Sequence, residues 1–371
     1  MPTKATTPRR ANPVVPAKAG TPVVPAHAGT HVGPRFRGDD GKLRAMNDAR
    51  LSVGWIGTGR MGYEMAARLA KGGAGVLAWN RTRAKAEPLA KYGARIADKL
   101  PELAACDIVF CMVSTWDDVK QVMGAMLEGS KNAGSKNAGS KNAGSKNAGA
   151  KKVPRLVIEC SSISLEGSAE LRKLLAARGI EYLAAPVSGN AKVIKAGKLS
   201  FVCSGPRTAF DTALPYLKMI APAASYVGEG ELARIVKICH NVFLGVVTQS
   251  LAEVTVLAEK AGVPRHAFLD FMNQSVMGSP FTRYKTPAFV NLDFKVTFTP
   301  YLLRKDMDLG LEAGRRFEVP MPLASVTRDL IQQLMGRGWT EQDFATLLLQ
   351  QAQASGLAIK PENVPVGDGL S

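Results

Sequence analysis

Residues 52–62 read SVGWIGTGRMG, and this stretch decides the fold. A short apolar run, Ser52–Ile56, meets Gly57-Thr58-Gly59-Arg60-Met61-Gly62, which is G-x-G-x-x-G. An amphipathic pattern with Met61, Met65 and Leu69 at a spacing of four then follows. Strand, glycine turn and helix in that order form the phosphate-binding start of a dinucleotide fold. Gly57 permits the tight turn, Gly59 lets backbone approach a pyrophosphate, and Gly62 lets helix pack on strand. The diphosphate is then expected at the positive end of the helix, within reach of Thr58, Arg60 and Met61. The plainer reading is a strand–helix turn with no ligand. A second β-rich run at the right distance, Gly75–Trp79, argues against it.

Working outward, β-rich runs recur at Ile108–Val113, Leu156–Glu159 and Lys198–Cys203, with helical patterns between them. This alternation predicts a parallel, doubly wound α/β sheet of Rossmann type. After about Gly230 strand signals stop, so an all-α C-terminal domain is expected. The boundaries read as a disordered extension over 1–45, a nucleotide-binding domain over 46–229, a helical substrate and dimerisation domain over 230–352 and a flexible tail over 353–371. Met46 is an alternative start.

The chain has 371 residues and a formal charge of +17, which suggests a nucleic-acid partner until the charge is located. Residues 1–45, Pro/Gly-rich with a near-repeat VVPAKAGTP/VVPAHAGTH, carry +6, and residues 130–152 carry another +6. The second block contains SKNAG four times, a low-complexity insertion over 130–150 with no apolar positions to stack. The remaining +5 is ordinary, so no nucleic-acid partner is expected. No apolar run reaches the ~18 residues that a membrane span needs. The five cysteines are odd in number and lack C-x-x-C spacing. Neither a disulfide framework nor a metal site is expected, and a reducing, cytoplasmic location fits.

Two further stretches carry chemistry. The second strand ends in Trp79-Asn80-Arg81-Thr82, where an NAD-preferring site would place a carboxylate. An arginine there suits a 2′-phosphate, so NADP(H) is the expected cofactor, with NAD(H) as the alternative. Downstream, Glu231–Lys260 is a helical pattern apolar almost all round, which predicts a buried helix. Lys237 lies inside it, with His240 at i+3 and Asn241 at i+4. A desolvated lysine beside an amide is a candidate general acid/base, against the plainer reading of a lysine that snorkels to water.

With these motifs in order, and with ECSSIS (159–164), APVSGN (185–190), KICHN (237–241) and RKDMDLGL (304–311), the chain resembles the β-hydroxyacid dehydrogenases. That family includes 3-hydroxyisobutyrate dehydrogenases and tartronate semialdehyde reductases, with 6-phosphogluconate dehydrogenase as a larger relative. The resemblance spans roughly residues 51–352. It implies that Lys237 is the general acid/base and that Asn241 orients the substrate. It also implies that Ser188 and Gly189 hold the substrate carboxylate, that Ser162 contacts the nicotinamide ribose side, and that Lys305 reaches the cofactor. Val113 and Ser114, ending the third strand-like run, are counted with the cofactor contacts. Two positions depart from the family pattern: Asn190 stands where a second glycine is usual, and His240 where an asparagine is usual. Both are expected at the substrate, and the His-Asn pair is similar to that of 6-phosphogluconate dehydrogenase.

The expected function is therefore hydride exchange between nicotinamide and a small 3-hydroxy acid or its semialdehyde, in a homodimer or tetramer built through the helical domain. Rival readings are a non-catalytic nucleic-acid-binding or interaction protein on the same fold, a 6-phosphogluconate-dehydrogenase-like activity and an imine-reductase-like activity.

Overall fold

A computed structural model of the chain describes residues 51–128 and 152–370. The expectations for 1–45, Met46 and the 130–150 insertion lie outside the described residues.

Six parallel strands form the first sheet in the order β3-β2-β1-β4-β5-β6: β1 Val53–Ile56, β2 Val76–Trp79, β3 Arg95–Ile96, β4 Ile108–Cys111, β5 Leu156–Glu159 and β6 Glu181–Ala184. Reversal of strand order beside β1 opens a crevice at the strand C-termini, where open α/β sheets bind ligands. Side chains alternate across β4, with Ile108 and Phe110 in one core layer and Val109 and Cys111 in the other. Helices α1 (Arg60–Lys71), α2 (Trp116–Met126) and α3 (Leu165–Ala176) connect the strands. Of the strands not anticipated, β3 has two residues and β6 reads EYLA, with an exposed Glu181.

Lys198–Cys203 forms a strand as expected, β8 (Ser200–Cys203), but in a second sheet. It pairs antiparallel with β7 (Val187–Ser188) and parallel with β9 (Ala223–Tyr226). Between them lie the short α4 (Ala191–Lys195) and α5 (Arg207–Ile220).

The C-terminal half is helical: α6 (Leu232–Lys260), α7 (Arg265–Gln274), α8 (Pro280–Asn291), α9 (Pro300–Arg316), α10 (Pro322–Gly336) and α11 (Leu347–Ala354). Two sequence expectations need correction here. Helix α6 is not buried all round, because Leu232, Val236, Phe243, Val254 and Leu257 form an exposed stripe along one side. It is also long and apolar enough, by length and composition alone, to cross a membrane. Half of the qualifying window, however, is buried inside this fold.

The tail over 353–371 is likewise not loose where it is described. Leu357, Ile359, Val364 and Val366 pack on the core formed by α6, α7, α8 and α11. Glu362 accepts the Arg265 and His266 backbone N–H groups at 2.7 and 2.9 Å, and Lys198 Nζ donates to Gly369 O at 2.9 Å. Alternating apolar side chains give this proline-containing segment a surface to bury, and side chains and backbone groups of the folded body satisfy its polar groups.

Candidate active site

The first β–α turn has the shape a diphosphate needs. Gly57 adopts φ +92°, and a Cβ there would lie 2.2 Å from Met112 O. A Cβ on Gly62 would lie 2.1 Å from Gly57 O, so helix and turn touch at that point. A Cβ on Gly59 would meet nothing within 4 Å. The open side of the turn is therefore at Gly59 and the exposed Arg60, at the N-terminus of α1, where backbone donors and the helix dipole favour an anion. Trp55 Nε1 braces the turn by donating to Gly57 O at 2.8 Å. Among the described residues the buried Thr58 hydroxyl has no hydrogen-bond partner, which leaves a polar atom for a ligand. These features fit a dinucleotide.

Asn80 supports this turn. Its Oδ1 accepts Thr58 N–H at 2.9 Å and its Nδ2 donates to Thr82 O at 2.9 Å, so the amide positions the loop. Arg81 extends into solvent, its guanidinium 3.8 Å from Asp118 and its side chain 79% exposed. Thr82 beside it is exposed, as is Ser114 across the crevice. Val113 N–H donates to Ser161 Oγ at 2.9 Å, tying the ends of β4 and β5 together.

The second half of the site is assembled on α6. Buried Arg234 fastens the start of this helix to the sheet. It pairs with Glu159 at the end of β5, and donates to Ser161 O at 2.5 Å and Tyr182 Oη at 2.9 Å. One turn later Lys237 emerges over the segment that carries Ser162. Its ammonium donates to Asn241 Oδ1 at 2.7 Å. Asn241 Nδ2 in turn donates to Asp306 Oδ2 at 2.5 Å. Helices α6 and α9 come this close because Gly310 faces Val242, where a Cβ would meet Val242 Cγ2 at 2.2 Å. Lys305 crosses back, donating to Ser162 O at 2.7 Å, with Asp306 Oδ1 3.1 Å away as a charge contact.

Burial lowers the Lys237 pKa to about 8, with Asp306 opposing the shift and Lys305 adding to it. Part of the lysine side chain reaches the surface, yet protein surrounds its ammonium densely enough to weaken its hydration. Ser162, Ile163, Lys237, Asn241 and Asp306 line one cleft. His240 sits at its rim, with Nδ1 2.9 Å from Asn241 Oδ1 and Nε2 2.8 Å from Ser188 Oγ. Burial and the Lys237 charge hold the His240 pKa below its usual value. Gly189, at φ +135°, has no room for a Cβ, which would lie 2.7 Å from Val193 Cγ1.

Lys237, Asn241, His240 and Ser188 thus meet at one place, as the sequence suggested. Asn190 does not join them. It is buried, and its Oδ1 caps α4 by accepting Val193 N–H at 3.1 Å. Its extra bulk serves that helix N-terminus and does not narrow the cleft. Ser162 meets Lys305 through its carbonyl oxygen. Lys305 ties the helical half to the nucleotide-binding half through Ser162 O, and the neighbouring Asp306, buried on the same helix, pairs with it. Asp306 and Arg234 were missed as site residues. The available signals were a charge one turn before Lys237 on an apolar helix, and a glutamate ending an apolar strand.

Residues 52–228 match the family described as the NAD binding domain of 6-phosphogluconate dehydrogenase. Residues 231–350 match the one described as NAD-binding of NADP-dependent 3-hydroxyisobutyrate dehydrogenase. The chain is 28% identical to 2-(hydroxymethyl)glutarate dehydrogenase of Eubacterium barkeri, over 83% of this chain and 97% of that one. It is 26% identical to the chloroplastic glyoxylate/succinic semialdehyde reductase 2 of Arabidopsis thaliana, over 80% and 78%. Among solved structures, Mycobacterium tuberculosis 3-hydroxyisobutyrate dehydrogenase with L-serine is similar at a TM-score of 0.67 and 25% identity. That match covers 81% of this chain and 99% of the other.

Proposed function

The chain belongs to the β-hydroxyacid dehydrogenase family, and from that premise we propose that it interconverts a short 3-hydroxy acid and its semialdehyde with NADP(H) as preferred cofactor. The observation that carries this reading is Lys237, desolvated to a pKa of about 8 and hydrogen-bonded to Asn241, which His240 links to Ser188. A lysine near neutrality can both give and take a proton during turnover.

The cradle from Gly57 to Gly62 would hold the diphosphate, and Arg81, just past β2 where an NAD-preferring site would place a carboxylate, would exchange its long contact with Asp118 for a 2′-phosphate. Bound there, the nicotinamide supplies the hydride exchange. In reduction Lys237 donates a proton to the carbonyl oxygen as it becomes an alkoxide; in oxidation it takes the hydroxyl proton. Asn241 Oδ1 holds one Lys237 N–H, leaving the others for that oxygen. Ser188 and Gly189 hold the carboxylate, so binding away from the reacting carbon orients it. Against the non-catalytic rival stands the retention of this lysine, with its tuned proton.

The exposed stripe of α6 (Leu232, Val236, Phe243, Val254 and Leu257) is the surface through which we propose that copies pair. The free cysteines suit the cytoplasm. A panel of short 3-hydroxy acids and semialdehydes, followed at the nicotinamide absorbance with both cofactors, tests the reading. Turnover favouring NADP(H) supports it. No turnover of any member overturns the reaction, and preference for NAD(H) overturns the role of Arg81.

A further inference from the structure

The donors and acceptors around His240 can be assigned one at a time. Asn241 Nδ2 faces the Asp306 carboxylate at 2.5 Å, which can only accept. Asn241 Oδ1 faces Lys237 Nζ at 2.7 Å, which donates. Reversing the amide would set its oxygen against the carboxylate and its NH₂ against the lysine donor, so both flanks fix its orientation. Oδ1 is then an acceptor, and His240 Nδ1, 2.9 Å away, must carry a proton. A neutral imidazole with its proton on Nδ1 has Nε2 as an acceptor. Ser188 Oγ, 2.8 Å from Nε2, therefore donates its only O–H to the histidine. In this state the serine has lone pairs but no proton to offer a carboxylate.

We propose that substrate binding here is a proton-uptake step: as the carboxylate arrives, His240 Nε2 takes a proton from solvent and donates it to Ser188 Oγ, and the Ser188 O–H turns to the carboxylate. No covalent bond to carbon changes, and the added proton offsets the charge of the arriving anion. This rests on the reading that Ser188 receives the substrate carboxylate. His240 thereby becomes a specificity residue, because only an anionic group that stabilises the imidazolium rewards its protonation.

The groups facing His240 agree with this switch. On its own helix are Lys237, whose charge disfavours a second cation in the empty cleft, and Asn241. From α9 come Asp306, which favours the imidazolium from behind Asn241, and Lys305, tied to Asp306 and Ser162. From β7 comes Ser188. Burial and Lys237 lower the pKa of the free imidazole and so favour its neutral form. His240 is nonetheless exposed at the rim, so solvent protons reach it. A bound carboxylate raises its pKa, and between the free and bound values affinity strengthens about tenfold for each unit of falling pH. Below the free value and above the bound value affinity is flat.

Long-range proton–nitrogen NMR of the ¹⁵N-labelled full chain tests this, since the chain has four histidines and His240→Asn assigns the signal. The probe is 3-hydroxypropanoate with NADPH present, a pair that cannot react. The free protein should show His240 neutral with its proton on Nδ1, and the probe should convert it to the doubly protonated form. The probe Kd should rise about tenfold per pH unit between the free and bound pKa values of His240 and level off above the bound one. In His240→Asn, whose amide can donate to Ser188 at every pH, it should stay flat. Ser188→Ala should abolish the response of the His240 signal.

A free-state proton on Nε2, binding without protonation of His240, or an unchanged pH slope in His240→Asn overturns the proposal alone. Failure of the probe and of every short 3-hydroxy acid to bind or turn over overturns the functional reading, and the proposal with it.

Discussion

Helices α6 and α8 each carry a lysine that the fold withdraws from water, and the two are used differently. Lys285 on α8 meets a carboxylate directly, donating to Asp343 Oδ1 at 2.5 Å and to Thr297 Oγ1 at 3.0 Å, with its ammonium 4.1 Å from the centre of the Phe344 ring. Asp343 is itself satisfied by Thr297 and Ala345. Lys237 on α6 meets an amide, and the carboxylate that acts on it, Asp306, stands behind that amide. Burial pushes both pKa values down, Lys237 to about 8. The difference lies in what remains free. The Lys285 proton is fixed in a closed ion pair, whereas Lys237 keeps N–H bonds facing a cleft. A buried lysine signals chemistry when its partner is neutral and its surroundings are open; with a carboxylate in contact it signals architecture.

The largest expected effect is on catalysis at the open lysine. Lys237→Met keeps the stem and removes the charge, so kcat should fall by about two to four powers of ten. Stability should stay level or rise, because an ammonium is costly to desolvate. Steady-state rates, cofactor titration and urea melts separate these outcomes, and cofactor affinity should be largely kept. Asn241→Ala, which disturbs orientation without removing the proton carrier, should fall between this variant and wild type.

The converse holds at the closed lysine. Lys285→Met leaves the Asp343 carboxylate buried without its counter-ion and should cost about 3–5 kcal/mol of stability. The rate per folded molecule should be unchanged. If the two variants behave alike in either assay, the distinction between the two sites fails. A solvated cation gives the smallest effect. Arg81→Ala should weaken NADP(H) by about 1.5–3 kcal/mol, the scale of a charge-assisted hydrogen bond, and leave NAD(H) binding and melting almost unmoved. Equal loss of both cofactors would contradict the assignment of Arg81 to the 2′-phosphate.

The two halves of the site were unequally legible. The phosphate cradle could be read because its demands are local: Gly57 and Gly62 lie five residues apart and touch each other. Lys237, His240 and Asn241 were legible for the same reason, as one helical face. What escaped was the long-range pairing. Asp306 lies 65 residues from Asn241 and Ser188 lies 52 from His240, and no periodicity links such positions. Asn190 was misplaced because an asparagine before a helix is both a cap signal and a bulky neighbour of a glycine turn. Only the backbone of α4 distinguishes these. In the tail, frequent prolines concealed an apolar alternation that packs on the helical core.

The central claim is that Lys237 carries the proton, and the pH dependence of a single turnover tests it most directly. When cofactor-loaded protein is mixed with saturating substrate, oxidation needs the free amine, so its rate should rise about tenfold per pH unit and level off above the Lys237 pKa, about 8 in the unliganded protein. Reduction needs the ammonium and should be level below pH 8 and fall above it. Opposed limbs that cross near pH 8 in wild type and vanish in the residual turnover of Lys237→Met are the predicted result. Parallel limbs, or limbs that persist in Lys237→Met, would contradict it.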